Sequence, residues 1–192
     1  MKKSVFAVMM LALSFSVMAF PGLPSSTGAL IGAKNYGALQ DSLNNLRQIF
    51  TGITMYTAAS DDMLPADFSA LASYVGGGRI FVAAFDKKSK PASGNDIKPA
   101  NTSFAYVGNL GRIDALSNPG AVPLAFEKPW LLPASQNRLA VLFADVRVES
   151  IHLPPKTPKT CRAVVNFLNK NITDKNLKNK LVKNAAAEDK AR

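Results

Sequence analysis

The chain of 192 residues contains one cysteine, one histidine and one tryptophan. A single cysteine excludes a disulfide within the chain and any zinc site made of clustered cysteines. A single imidazole, that of His152, excludes a metal site with several histidine ligands. Apolar residues make up 47% of the chain and charged residues 19%. This composition is typical of a protein that folds around a hydrophobic core, and the length suits one domain.

Acidic residues are also scarce, because 13 Asp and Glu stand against 23 Lys and Arg, which gives a net charge of +10. The excess is unevenly distributed. Residues 20–155 contain eleven basic and ten acidic side chains, whereas residues 156–192 contain ten basic and three acidic side chains. The basicity therefore belongs to a C-terminal tail, residues 156–192, and not to the body of the protein.

The N-terminal residues have the pattern of an export signal. Lys2 and Lys3 precede an apolar run, residues 5–19, that ends in small side chains. The run is shorter than the roughly 20 residues that a bilayer-spanning helix needs. We predict a secretory signal over residues 1–19 that is cleaved after Ala19, a Pro- and Gly-rich leader over 20–34, and a periplasmic or extracellular location. An uncleaved inner-membrane anchor is the alternative.

A helical pattern follows the leader. Apolar residues recur at intervals of three and four between Tyr36 and Tyr56, which predicts an amphipathic helix of about twenty residues. Asp61, Asp62 and Pro65 are expected to end this helix, and a short second helix is predicted over residues 67–74.

The remainder of the body has short β-rich runs separated by turn residues. Strands are predicted over 79–85, 103–107, 122–126 and 139–151, the last as a hairpin bent at Asp145. Connections of this kind favour antiparallel pairing. We therefore predict an α+β domain over residues 35–155, in which a long N-terminal amphipathic helix packs on a small antiparallel β-sheet.

Several segments occur in the order known from one family. They are N-L-R-Q-I (45–49), D-D-M-L-P (61–65), I-F-V (80–82) with Asp86, S-F-A-Y-V-G (103–108), P-L-A-F-E-K-P (123–129) and V-L-F-A-D-V-R-V-E (141–149). This series resembles type IV pilin-like proteins, in particular the G-type pseudopilins of type II secretion. The N-terminal prepilin helix motif of that family is absent here. The family's Asp-Gly turn is Asp145-Val146 in this chain, so a residue that tolerates positive φ is lost.

The resemblance implies the globular head of a pilin-like protein with a structural or interaction role. It implies pilin-like or secretion components as protein partners, in a type II secretion or type IV pilus-like system. We expect no enzyme activity, no cofactor and no metal site, and no calcium ligand is transferred from the family.

The residues that carry reactive groups support the same expectation. Glu127, Asp145 and Glu149 are interpreted as solvated cross-strand charges, and a hydrolase with a carboxylate site is the low alternative. Cys161 lies beside Lys159 and Arg162, which would lower the pKa of a thiol, but it is interpreted as a half-buried helix residue.

Two features are candidates for contact with partners. Three large apolar residues, Trp130, Leu131 and Leu132, lie between two prolines; they form either an exposed docking point for a protein or a cover over the end of the sheet.

The basic tail is the second candidate. Its sequence predicts a weakly amphipathic helix or a disordered arm that binds anionic lipid or polyanionic glycan. The candidate anion contacts are Lys175, Lys178, Lys180 and Lys183. Nucleic acid is not expected as a partner, because aromatic residues are not interleaved with these lysines.

Overall fold

The computed structural model describes residues 26–133 and 136–192, with side chains from residue 36 onward. The predicted signal, 1–19, and the first part of the predicted leader lie outside these residues. In the described part of the chain, three α-helices accompany one antiparallel sheet of four strands. The prediction of an α+β fold with a small antiparallel sheet is therefore confirmed.

Helix α1 spans Ser26–Ala59 and so overlaps the predicted leader. From residue 39 its apolar stripe is buried, including Leu46, Ile49 and Ile53, which have no exposed surface. The stripe contacts mainly the third and fourth strands of the sheet. Asp61 and Asp62 follow the helix in the left-handed conformation, with φ of 52° and 58°. Short polar side chains such as Asp tolerate that conformation better than most residues do.

The sheet has the order β1-β2-β3-β4, with β1 at Phe104–Tyr106, β2 at Pro123–Glu127, β3 at Arg138–Phe143 and β4 at Val148–His152. Neighbouring strands are antiparallel throughout. Three of the four predicted strand segments, including the hairpin near Asp145, are confirmed. Strands β1 and β2 are buried along their whole length, because the sheet is covered on both faces.

The strand predicted over residues 79–85 is wrong. Gly78–Phe81 forms a 3-10 helix, and the chain then continues as a loop. Phe81 and Ala83 are buried, which explains the apolar pattern that predicted a strand. At the outer edge of β1, side chains of the tail bind the backbone, so residues 79–85 do not extend the sheet there. The helix predicted over 67–74 is a 3-10 helix at Phe68–Leu71, whose first amides bind the Asp67 carboxylate.

The C-terminal tail forms two helices that belong to the core. Helix α2 spans Cys161–Leu168 and helix α3 spans Lys175–Lys190. Cys161, Val164 and Leu181 have no exposed surface. The two helices contact each other, and α3 also contacts β1. Of the two forms predicted for the tail, the helix is observed and the disordered arm is not.

The β3–β4 turn contains a strained residue. Val146 has a φ of 79° and is 59% exposed. A β-branched residue in the left-handed region is an outlier, at a cost of about 1–2 kcal/mol.

We expect Val146→Gly to raise the free energy of unfolding by about 1 kcal/mol, because glycine accepts this φ without a Cβ clash. Urea denaturation measures the change. Val146→Ala is the matched control, since it removes the branched side chain but keeps the Cβ. A glycine variant no more stable than the alanine variant would contradict the assignment of strain to this residue.

Candidate functional site

The segment that follows β2 contains the predicted docking residues. Leu132 is buried, whereas Trp130 and Leu131 are half-buried. Trp130 and Leu131 line a surface cleft of about 380 Å³ together with Lys88, Lys128 and Arg192. The Arg192 guanidinium lies 5.4 Å from the centroid of the Trp130 ring, within the range of a cation–π contact. Two of the three predicted residues therefore line a cleft, and the third packs in the core.

Lys128 is almost completely buried at the base of this cleft. Its Nζ donates to the Thr102 carbonyl at 2.9 Å, to Thr102 Oγ1 at 3.0 Å and to the Pro99 carbonyl. These acceptors use all three donors of the ammonium group. The ammonium also lies 3.9 Å from Glu188 Oε2 on α3. Lys128 therefore ties the loop before β1 and helix α3 to the end of β2.

The Lys128–Glu188 pair is poorly solvated, with 4% and 12% of the two side chains exposed. Burial lowers the pKa of Lys128 and raises the pKa of Glu188, while their mutual attraction opposes both shifts. Glu188 Oε1 accepts the Tyr106 amide at 3.2 Å, and Oε2 has no hydrogen-bond partner among the described residues. The pair is a structural tie between α3 and the sheet.

Two side chains of α3 bind the backbone at the free edge of β1. Glu188 accepts the Tyr106 amide, and Asn184 Nδ2 donates to the Val107 carbonyl at 3.0 Å. An unpaired strand edge is a template for unwanted pairing with other chains. Helix α3 removes that template at β1. The prediction of an anion-binding tail did not include this role.

Asp189, the residue after Glu188, caps helix α2. Asp189 Oδ1 accepts the Cys161 amide at 2.6 Å, and Asp189 Oδ2 accepts the Arg162 amide at 3.1 Å. These are amides of the first turn of α2, where a carboxylate is favoured by both hydrogen bonding and the helix dipole. Asp189 thus fixes the C-terminal end of α3 to the start of α2.

Cys161 is fully buried at this junction, so the expectation of a half-buried residue is corrected. Burial raises the pKa of the thiol, and Asp189 and Glu188 raise it further. The neighbouring cations do not compensate: the Lys159 ammonium is directed to the Leu132 carbonyl at 3.1 Å. A thiolate is therefore disfavoured here, and Cys161 is a core residue.

Three of the four lysines predicted to contact anions are exposed on α3. Leu181 and Ala185 are buried, and Glu188 and Asp189 bind backbone amides. The four predicted anion contacts are exposed, except for Lys178, which is half-buried: Lys175, Lys178, Lys180 and Lys183. The ion pairs of the described residues involve none of these four lysines. The outward surface of α3, defined by Lys175, Lys180 and Lys183, is called the lysine face below.

Glu127 contradicts its interpretation as a solvated charge, since it has no exposed surface. Its Oε2 accepts the Ala140 amide of β3 at 2.7 Å. Burial raises the pKa of Glu127 to about 7, although Ser42 of α1 and the Ala140 amide favour the charged form. Ser42 Oγ and Glu127 Oε1 have no partner of normal hydrogen-bond geometry among the described residues, so the contact between them is weaker than a full hydrogen bond.

The other two predicted carboxylates lie on the surface. Asp145 and Glu149 both contact Arg147, at 3.5 Å and 2.7 Å. Glu127 is therefore buried, whereas Asp145 and Glu149 belong to an ion-pair cluster around Arg147 on the surface. The three acids do not converge on one site. His152 is exposed, and its Nε2 lies 2.7 Å from Asn137 Nδ2.

Within residues 26–133 and 136–192, no group of three or more His, Cys, Asp or Glu side chains is placed to hold a metal ion. Asp61 and Asp62, the adjacent acids after α1, contact the Arg112 guanidinium at 2.9 Å and 3.5 Å. None of the helices in the described part of the chain has the length and apolar character required to cross a bilayer.

Comparison of the chain with family models, with curated proteins and with solved structures found no match. The features available for a functional argument are therefore those of the chain itself. They are the Trp130 cleft, the lysine face and the arrangement of α1 on the sheet.

Proposed function

We propose that the protein is an exported, non-enzymatic pilin-like protein with a structural or interaction role in a type II secretion or type IV pilus-like system. The supporting observation is the placement of α1 across β3 and β4 of an antiparallel sheet. The segments that resemble the family follow this architecture in order. Residues 103–108 include β1, residues 123–129 include β2, and residues 141–149 include the turn of the β3–β4 hairpin.

The Trp130 cleft is the surface at which we propose that a protein partner binds. Tryptophan is enriched at the energetic centre of protein interfaces, and the Trp130 ring is half-buried in contact with Arg192. The cleft is lined by Lys88 and Arg192 as well as by Trp130, so it favours a partner with an acidic or aromatic side chain.

The N-terminus of the mature protein tests the proposal of export. Mass spectrometry of the full-length protein expressed in a bacterium with a type II secretion system should find a chain beginning at Phe20 in the periplasm or the medium. An intact N-terminus in the inner membrane would support the anchored alternative. Unprocessed protein in the cytoplasm would contradict export.

Chemical cross-linking of the same cells should yield adducts with pilin-like or secretion components. Trp130→Ser should reduce the yield of these adducts more than Val146→Ser does.

The lysine face favours a second candidate function, which is binding of anionic lipid or polyanionic glycan. The specific observation is that Glu188 and Asp189 of α3 bind backbone amides and form no ion pair with the outward lysines. Each lysine near an anionic surface contributes about 1 kcal/mol of binding free energy, and the contribution decreases with salt.

We expect Lys175→Gln, Lys180→Gln and Lys183→Gln, combined in one variant, to weaken binding to phosphatidylserine-containing vesicles roughly 100-fold at low salt. Lys87→Gln, Lys88→Gln and Lys90→Gln form the matched control, since these lysines are also exposed and the charge change is the same. Vesicle co-sedimentation measures the difference. Equal losses in the two variants would indicate net charge alone and would exclude a dedicated lysine face.

A further inference from the structure

The two edge strands of the sheet, β1 and β4, differ in how the rest of the chain covers them. At β1, side chains of α3 bind the outward backbone groups, as described above. At the opposite edge lies β4, Val148–His152, whose residues are half-buried or exposed. As an edge strand, β4 has backbone groups that face away from the sheet.

The hydrogen bonds at the two ends of the β3–β4 hairpin show which residues of β4 bond β3. The Phe143 amide donates to the Arg147 carbonyl at 2.9 Å, and the Leu153 amide donates to the Asn137 carbonyl at 2.8 Å. Hydrogen-bonded pairs alternate along an antiparallel ladder. Because the register between these ends is continuous, Glu149 and Ile151 also bond β3.

The alternate residues of β4 therefore direct their N–H and C=O groups outward. These residues are Val148, Ser150 and His152. No other described residue donates a hydrogen bond to these carbonyls or accepts one from these amides. Native sheets blunt such an edge with proline, with charged side chains, above all lysine, or with a bulge. Strand β4 contains no proline and no lysine, and its pairing with β3 shows no bulge. Its one charged side chain, that of Glu149, is paired with Arg147.

We propose that β4 pairs antiparallel with β4 of a second copy of this chain, about a two-fold axis at Ser150. In that register Ser150 lies opposite Ser150 of the second copy, and Val148 lies opposite His152 of the second copy. Every outward amide and carbonyl of the three residues then has a partner. The result is one continuous sheet formed by both chains.

The side chains of β4 favour this register over its neighbours. With Ser150 on the axis, Glu149 lies opposite Ile151 of the second copy, so no like charges are directly opposed. Moving the axis to Glu149 would set the two Glu149 carboxylates against each other. It would also pair His152 with Val146, which is in the left-handed conformation and not extended. Moving the axis to Ile151 would pair Val148 with Pro154, which has no amide hydrogen.

The register about Ser150 is the reason to assign the edge to a second copy: it pairs every outward amide and carbonyl of β4 and opposes no like charges. One strand supplies both halves of the pairing, as a two-fold interface requires. A five-residue strand buries much less than the roughly 1,600 Å² of a standard interface. The dimer is therefore weak and forms in a concentration-dependent way.

Amide hydrogen exchange of the full-length chain, followed by NMR, tests the pairing residue by residue. We expect the amides of Glu149 and Ile151 to be protected at every concentration. The amides of Val148, Ser150 and His152 should exchange rapidly in dilute protein and slow about tenfold between about 10 μM and about 1 mM. Rapid exchange of all three throughout this range would overturn the proposal. Protection that appears only when a different protein is added would also overturn it.

A matched pair of variants separates this edge from other surfaces. Ser150→Pro removes an outward amide without removing a hydrogen bond to β3, and proline is tolerated at such positions of edge strands. Ser150→Ala keeps the amide. Sedimentation velocity should show self-association of wild type and of Ser150→Ala, and a monomer for Ser150→Pro. Equal association of both variants would mean that another surface forms the dimer. If Ser150→Pro does not fold, the amide exchange pattern of the wild-type protein still decides whether β4 pairs with a second copy.

Discussion

Glu127→Gln is expected to raise the free energy of unfolding by about 3 kcal/mol above pH 7, and to leave it nearly unchanged below pH 4. The folded-state pKa of Glu127 is raised from its ordinary value of 4.5 to about 7. Below pH 4.5 the carboxyl is neutral in both states. Between the two pKa values the unfolded chain ionises while the folded chain keeps its proton, so stability falls as the pH rises.

Glutamine has the shape of the neutral carboxyl and cannot ionise, so it removes this loss. Its carbonyl still accepts the Ala140 amide, and its amide group can donate to Ser42 Oγ. Urea denaturation at several pH values measures the effect. Glu149→Gln is the control, because Glu149 pairs with Arg147 on the surface and its replacement should change stability by less than about 1 kcal/mol. A variant whose stability depends on pH as steeply as that of the wild type would show that Glu127 is not the group that titrates.

Lys128→Met is expected to destabilise the protein by about 3–5 kcal/mol. Methionine has a similar length but leaves two backbone carbonyls, the Thr102 hydroxyl and the Glu188 carboxylate without the ammonium. A buried charge that loses its partner costs more than the pair itself contributes. Chemical denaturation of the full-length chain measures the loss.

Lys98→Met provides the comparison, since the Lys98–Asp96 pair is about two-thirds exposed on both sides, at 66% and 68%. Its loss should cost less than about 1 kcal/mol. Adding Glu188→Gln to Lys128→Met should restore part of the stability, because the unpaired carboxylate is then neutral. If the double variant is less stable than Lys128→Met alone, the charge of Glu188 is not the source of the penalty.

Local patterns were sufficient to predict the sheet. The β3–β4 hairpin has alternating apolar residues around Asp145, and β1 and β2 are short apolar runs bounded by turn residues. Such patterns report burial directly. The same reasoning failed at residues 79–85, because Phe81 and Ala83 are buried without pairing in the sheet.

The roles of the polar residues could not be predicted, because they depend on which elements meet. Glu127 precedes Lys128 in the sequence, but one side chain is buried near α1 and the other binds a loop and α3. Glu188 and Asp189 are the last acids in a lysine-rich segment, and this break in the pattern was the available signal. Their spacing from Asn184 and Ala185 places them near one side of α3, which indicates an inward role only once the helix is known to pack.

Helix α3 covers the edge of β1 but is synthesised much later than that strand. Glu188 follows Tyr106, the residue of β1 that it binds, by 82 positions in the sequence. The ribosome therefore finishes the sheet well before it makes the residues that cover the Tyr106 amide and cap α2. The β1 edge therefore stays open until Asn184 and Glu188 have been made. Replacing both residues by alanine should lower solubility, because it uncovers a strand edge that can pair with other chains.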